Sequence, residues 1–216
     1  MQTGWDWKVV KDTAKWKKPD GAVMELAPLL SAWQKPRVYD LGCGLGRHLA
    51  FFSSIGCDVA GSDISPDAVA ESARVLRAMN VIPDVKEGRM TRIDQPDGSF
   101  SLVIALRVIH HAVKADIVKA IAEVYRVLVP GGYFFATFKA DVEARPPGAT
   151  IIDAQTAIWQ EEPEKGIPHF YSRREDVFGF LNAFTVVSLK YCESYEPPGF
   201  EAGRRNAWFE VLAKKP

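Results

Sequence analysis

Cysteine is scarce in this sequence. Cys43, Cys57 and Cys192 are its 3 cysteines, odd in number and far apart. They supply neither a disulfide framework nor the paired spacing of a zinc site. That usage fits a reduced, cytoplasmic protein, and no metal site is expected. An excess of one charge is also missing, because 27 basic residues balance 27 acidic ones. No overall field draws the chain to nucleic acid or to an anionic membrane. No stretch approaches the ~18 consecutive apolar residues of a membrane span. The first residues, Met1 to Trp7, lack the apolar core of a signal peptide. No internal repeat and no second domain is visible. What the chain has is 216 residues, 47% of them hydrophobic, which suits one domain spanning 1–216 with a sizeable core.

That core is organised around Val38-Tyr39-Asp40-Leu41-Gly42-Cys43-Gly44-Leu45-Gly46-Arg47-His48. A short apolar run bounded by a turn predicts a parallel strand covered on both faces. Alternate glycines follow, whose missing Cβ lets a ligand lie against the backbone. Leu49, Phe51, Phe52 and Ile55 then supply a helix that Gly56 ends. Free N–H groups at such a helix start favour anionic or polar groups. The glycines read G-x-G-x-G, with Arg47 in the place of the third dinucleotide-type glycine. A tight turn with no ligand would give the same glycines. Asp63, at the end of a second short strand, lies roughly 20 residues beyond them, where a carboxylate reaches a ribose diol. Asp63 could instead be a helix-start acid, but Ser65-Pro66 already supplies the N-cap and first helical residue.

Three runs in order, Asp40 to Gly46, Asp63-Ile64-Ser65 and Arg126-Val127-Leu128-Val129-Pro130-Gly131-Gly132, resemble the successive motifs of class I S-adenosylmethionine-dependent methyltransferases. The likeness covers about Val38 to Phe138. It implies a Rossmann-like, doubly wound α/β sheet of about seven mostly parallel strands, the last antiparallel. It also implies S-adenosylmethionine as cofactor. The positions matched to cofactor binding are Asp40, Gly42, Cys43, Gly44, Gly46 and Arg47 on the first loop, with Asp63 and Ile64 on the second. Gly88, Arg89 and Met90 match the adenine turn, and Leu106 and Arg107 the end of a later strand. Two departures stand out. Arg89 occupies a place where the family often has an aspartate for the adenine amine, and Ser101 replaces a common aspartate.

Along the chain, residues 1–36 form an arm in which Trp5, Trp7 and Trp16 alternate with lysines. It packs on the domain or acts as a lid. A helix is expected over Val23–Trp33, interrupted at Pro28. Others are expected from Pro66 to Asn80 and from Asp116 to Leu128, on apolar stripes at helical spacing. Val81–Glu87, Phe100–Leu106, Tyr133–Phe138, Phe184–Tyr191 and Asn206–Ala213 read as strands. Pro130-Gly131-Gly132 and Glu196-Pro197-Pro198-Gly199 read as turns. Ser172 with Glu175 reads as a capping box for a helix through Leu181. Residues 139–171 are a long polar insertion of the kind that shapes a substrate pocket.

His110 and His111 follow the strand that ends near Leu106, where open α/β sheets place their ligands. His111, with His169 and Tyr171 from the insertion, is the expected catalytic set. A histidine there can take a proton from an acceptor. The resemblance implies methyl transfer to a small-molecule acceptor, by a monomer or homodimer with no membrane or nucleic-acid partner. Transfer to RNA or protein, a non-catalytic cofactor-binding partner and a nucleotide-dependent reductase are the alternatives.

Overall fold

The apolar run at residues 38–41 is buried because parallel neighbours flank it. In the computed structural model, which describes residues 5–10, 13–195 and 205–216, β1 (Arg37–Leu41) pairs in parallel with β2 (Asp58–Asp63) and β4 (Phe100–Ala105). β3 (Val85–Glu87) adds to the β2 edge, and β5 (Leu128–Lys139) follows β4, both in parallel. β10 (Arg205–Lys214) runs antiparallel between β5 and the edge strand β9 (Thr185–Tyr195). The sheet therefore has seven strands in the order β3-β2-β1-β4-β5-β10-β9, and its strand number and antiparallel last strand are those the resemblance implies.

Alternation along β1 sends side chains to two cores. Val38 joins Leu49 and Phe52 of α2 (Arg47–Ser54) and Leu76 of α3 (Pro66–Ala78). Tyr39 and Leu41 face the other way, toward Ile117, Ile121 and Val124 of α4 (Lys114–Val127). Helices on both faces leave the carboxyl ends of β1, β2 and β4 as the open rim of the sheet.

Several local expectations change. The helix predicted over Val23–Trp33 is a short α1 (Gly21–Met24) followed by a 3-10 segment, Ala27–Ala32, with Pro28 in its first turn. The third strand covers only Val85–Glu87. Pro130-Gly131-Gly132 lies inside β5 as an irregularity, with the register shifting opposite Phe100–Leu102. The capping box slips one residue: Arg173 is the N-cap of α5 (Arg174–Phe180), and its N–H donates to the Asp176 carboxylate at 3.0 Å. Ser172 is otherwise engaged, its N–H donating to the Lys139 carbonyl. The turn expected at Glu196–Gly199 lies outside the described residues.

The insertion is more ordered than its composition suggests. β6 (Thr150–Ile151), β7 (Thr156–Ile158) and β8 (Pro168–Phe170) form a small antiparallel sheet. It is stitched to the rim: Phe170 N donates to the His110 carbonyl at 2.8 Å. Those bonds carry His169 to the end of β4.

Candidate active site

The glycine loop is fixed by its neighbours. Gly42 N and Cys43 N both donate to the Ser62 carbonyl, at 2.7 and 3.0 Å. Ser72 Oγ donates to the Gly44 carbonyl at 2.7 Å. Gly42 has φ +72°, and a Cβ there would lie 2.3 Å from Val108 Cγ2. Only glycine takes that conformation at that distance. The loop thus runs close under the chain that leaves β4.

Asp63 stands at the tip of β2, across from the loop. Its Oδ2 accepts from Gly44 N and its Oδ1 from Ser65 N, both at 2.9 Å. Each oxygen keeps a free lone pair. Burial pushes this carboxyl above the ordinary aspartate range, and the two backbone N–H groups offset part of that rise.

Between these parts lies a cleft with about 980 Å³ of atom-free space, its open mouth included. Gly42, Cys43, Gly44, Asp63 and Ile64 line one side. Gly88, Arg89, Met90, Leu106 and Arg107 line the rest of the floor, and Arg47 reaches in from α2. Burial and the nearby Arg107 guanidinium lower the proton affinity of Arg47. Burial pushes the Cys43 thiol well up, so it is not a thiolate nucleophile. Trp5, Trp7 and Trp16 pack on one another over the cleft, with ring centroids 5.0 to 5.9 Å apart. The arm therefore packs on the domain, and the surface it covers is this cleft.

Two residues of the expected cofactor set lie outside the cleft. Asp40 is buried, with Oδ2 3.5 Å from Nδ1 of His48, which does line the cleft. Gly46 sits behind the loop at the start of α2, where a Cβ would meet Ser72 Oγ at 2.9 Å.

A second cavity, with about 1440 Å³ of atom-free space, opens on the insertion side. Trp159 and Trp208 supply aromatic wall, and Glu161, Glu162 and Glu164 its acidic side. Trp5, Trp16, Arg107 and His111 line both cavities and so form the partition. His111 Nε2 is 3.2 Å from Glu164 Oε1. His169 is fully buried, its ring stacked on Trp159 with centroids 4.2 Å apart. Tyr171, placed in the catalytic set from sequence, lies behind Trp159 and lines neither cavity. Its hydroxyl accepts from Trp159 Nε1 at 3.0 Å.

Glu164 and the Lys139–Glu143 ion pair in the second cavity escaped the sequence reading. The length of the insertion was the available signal; nothing in local spacing ties residue 164 to residue 111.

The cleft fits a sulfonium nucleoside. It offers a buried carboxylate with two open lone pairs for a diol, a backbone cradle and a guanidinium. Comparison with known proteins agrees. Residues 39–136 match the family described as a methyltransferase domain. A sterol 24-C-methyltransferase of Eremothecium gossypii is 33% identical over 140 residues, 62% of this chain and 36% of that protein. A human protein named "Probable tRNA methyltransferase 9B" is 35% identical over 107 residues, 46% of this chain and 21% of that one. The chain thus matches well under two thirds of the length of either relative. A solved SAM-dependent methyltransferase from Methanosarcina mazei shares the fold, with a TM-score of 0.68 at 16% identity over 92% of this chain and 98% of that one. Residues 39–136, a little under half of the chain, thus match a methyltransferase domain, and the fold around them is that of a solved SAM-dependent methyltransferase.

Proposed function

We propose that the protein transfers a methyl group from S-adenosylmethionine to a small-molecule acceptor held in the second cavity. The observation that carries this reading is the shared partition. The two cavities meet at His111, Arg107, Trp5 and Trp16, so a molecule in one can reach a reactive group in the other.

When bound, the cofactor supplies a methyl on a sulfonium sulfur, which a nucleophile displaces in line. The chain has to hold the two partners. Asp63 would accept hydrogen bonds from the ribose hydroxyls. Arg47 would face the methionine carboxylate, as a guanidinium suits a carboxylate. Ile64 and Met90 would pack on the adenine, with the Arg89 backbone beside it. The tryptophan arm would exclude water above, and His111 would stand between cofactor and acceptor. Orientation of this kind lowers a barrier by roughly 7–11 kcal/mol.

The acidic side of the second cavity supports a small acceptor over RNA. Glu161, Glu162 and Glu164 flank it and repel a polyanion. The sterol relative's name supports the same class, and the human relative's name favours RNA. The test is transfer of labelled methyl from S-adenosylmethionine to a cell extract split into small molecules, RNA and protein. Label in the small-molecule fraction is expected. Label confined to RNA or protein refutes the acceptor class, and cofactor binding with no transfer refutes catalysis.

A further inference from the structure

His110, His111 and His169 each present a ring nitrogen to one point, and those nitrogens all lie within 4.8 Å of one another. Sequence alone predicted no metal here. We infer that these three histidines bind a divalent transition-metal ion of the zinc class beside the cofactor cleft, with Glu164 holding two of their rings in place.

His110 is buried, and its Nδ1 has no hydrogen-bond partner in the protein, which leaves that nitrogen for an ion. His169 is clamped under Trp159, the planes 9° apart. Glu164 brings a carboxylate to both remaining rings, with Oε1 3.2 Å from His111 Nε2 and Oε2 3.7 Å from His169 Nε2. Of the two nearby cations, Lys139 and Arg107, Lys139 has its charge met by Glu143.

The donor set selects the ion. Imidazole nitrogens suit zinc, copper, iron and nickel, whereas magnesium and calcium prefer all-oxygen sites. Zinc–nitrogen bonds of about 2.0–2.1 Å need tetrahedral nitrogens ~3.4 Å apart, so the three rings draw closer on binding. His111, the partly exposed member, has the most room to move. Three histidines and one position open to the second cavity match the layout of a catalytic zinc site. On the methyl-transfer reading, an acceptor oxygen, sulfur or nitrogen occupies that position. The ion then lowers the acceptor's proton affinity, and His111 acts as a ligand and not as the base.

The competing account is a hydrogen-bonded histidine–glutamate network that needs no ion. Cobalt titration decides between them. The full chain, free of any polyhistidine tag and stripped with chelator, is titrated with Co²⁺ and followed by visible absorption. The expected result is one equivalent giving the intense bands of four- or five-coordinate cobalt, bleached by Zn²⁺. Glu164→Gln should weaken cobalt about 10–100-fold, as other changes around metal ligands do, and His111→Ala should abolish the bands. Asp63→Asn should keep them while losing affinity for S-adenosylmethionine in calorimetry, so failure of the metal site and failure of the cofactor assignment read out separately. A spectrum that stays that of aqueous cobalt, or a titration unchanged in His111→Ala, overturns the proposal.

Discussion

Replacing Asp63 with Asn tests the cofactor site most directly. The change keeps the shape and removes the charge. It also turns one acceptor oxygen into an amide donor. Gly44 N–H and Ser65 N–H each point at one carboxylate oxygen from 2.9 Å, so one of them must face an NH₂ group. The amide can accept from only one ribose hydroxyl where the carboxylate accepts from two. A hydrogen bond to a charged group contributes roughly 1.5–3 kcal/mol, so affinity for S-adenosylmethionine should fall about 10–150-fold. Isothermal titration calorimetry reads this directly.

The pH dependence has a definite sign. Burial raises the Asp63 carboxyl, so the folded chain holds that proton more tightly than the unfolded chain does. The ionised carboxylate therefore costs some stability, and that cost disappears as pH falls through the folded value. Cofactor affinity goes the other way. It weakens as pH falls, starting at a higher pH than for an ordinary aspartate, and the Asn variant lacks this dependence. An unchanged dissociation constant, or the same pH profile in the variant, refutes the ribose assignment.

Other outcomes follow from the same geometry. Gly42→Ala puts a Cβ at φ +72° and 2.3 Å from Val108 Cγ2. Strain of roughly 1–3 kcal/mol should lower the thermal midpoint, and an unshifted midpoint contradicts the close approach. Tyr171→Phe removes the acceptor of the buried Trp159 N–H. Denaturant titration should find about 1–3 kcal/mol lost, while kcat holds. A collapse of kcat at unchanged stability would return Tyr171 to the catalytic groups.

The sheet was legible in the sequence because buried parallel strands are unbroken apolar runs, as Phe100–Ala105 is. Asp63 was legible because one strand–turn–helix unit fixes its distance from the glycines. Asp40 adjoins the loop in sequence, and the structure sets its carboxylate against His48 outside the cleft lining. Gly46 lies outside that lining too, where a Cβ would meet Ser72. The strands of the insertion have two or three residues each, too few for a period to show. Its histidine is tied to the site by backbone bonds such as Phe170 N to His110 O, between residues 60 positions apart. No local pattern encodes such a pairing.

Asp6 N donates to the Pro163 carbonyl at 3.1 Å, which ties the tryptophan arm to the loop carrying Glu164. Trp5 is a wall of both chambers. Were the arm to peel back and admit the nucleoside, the compartment next door would lose a wall at the same moment, and an obstruction at Trp5 would slow entry to both alike.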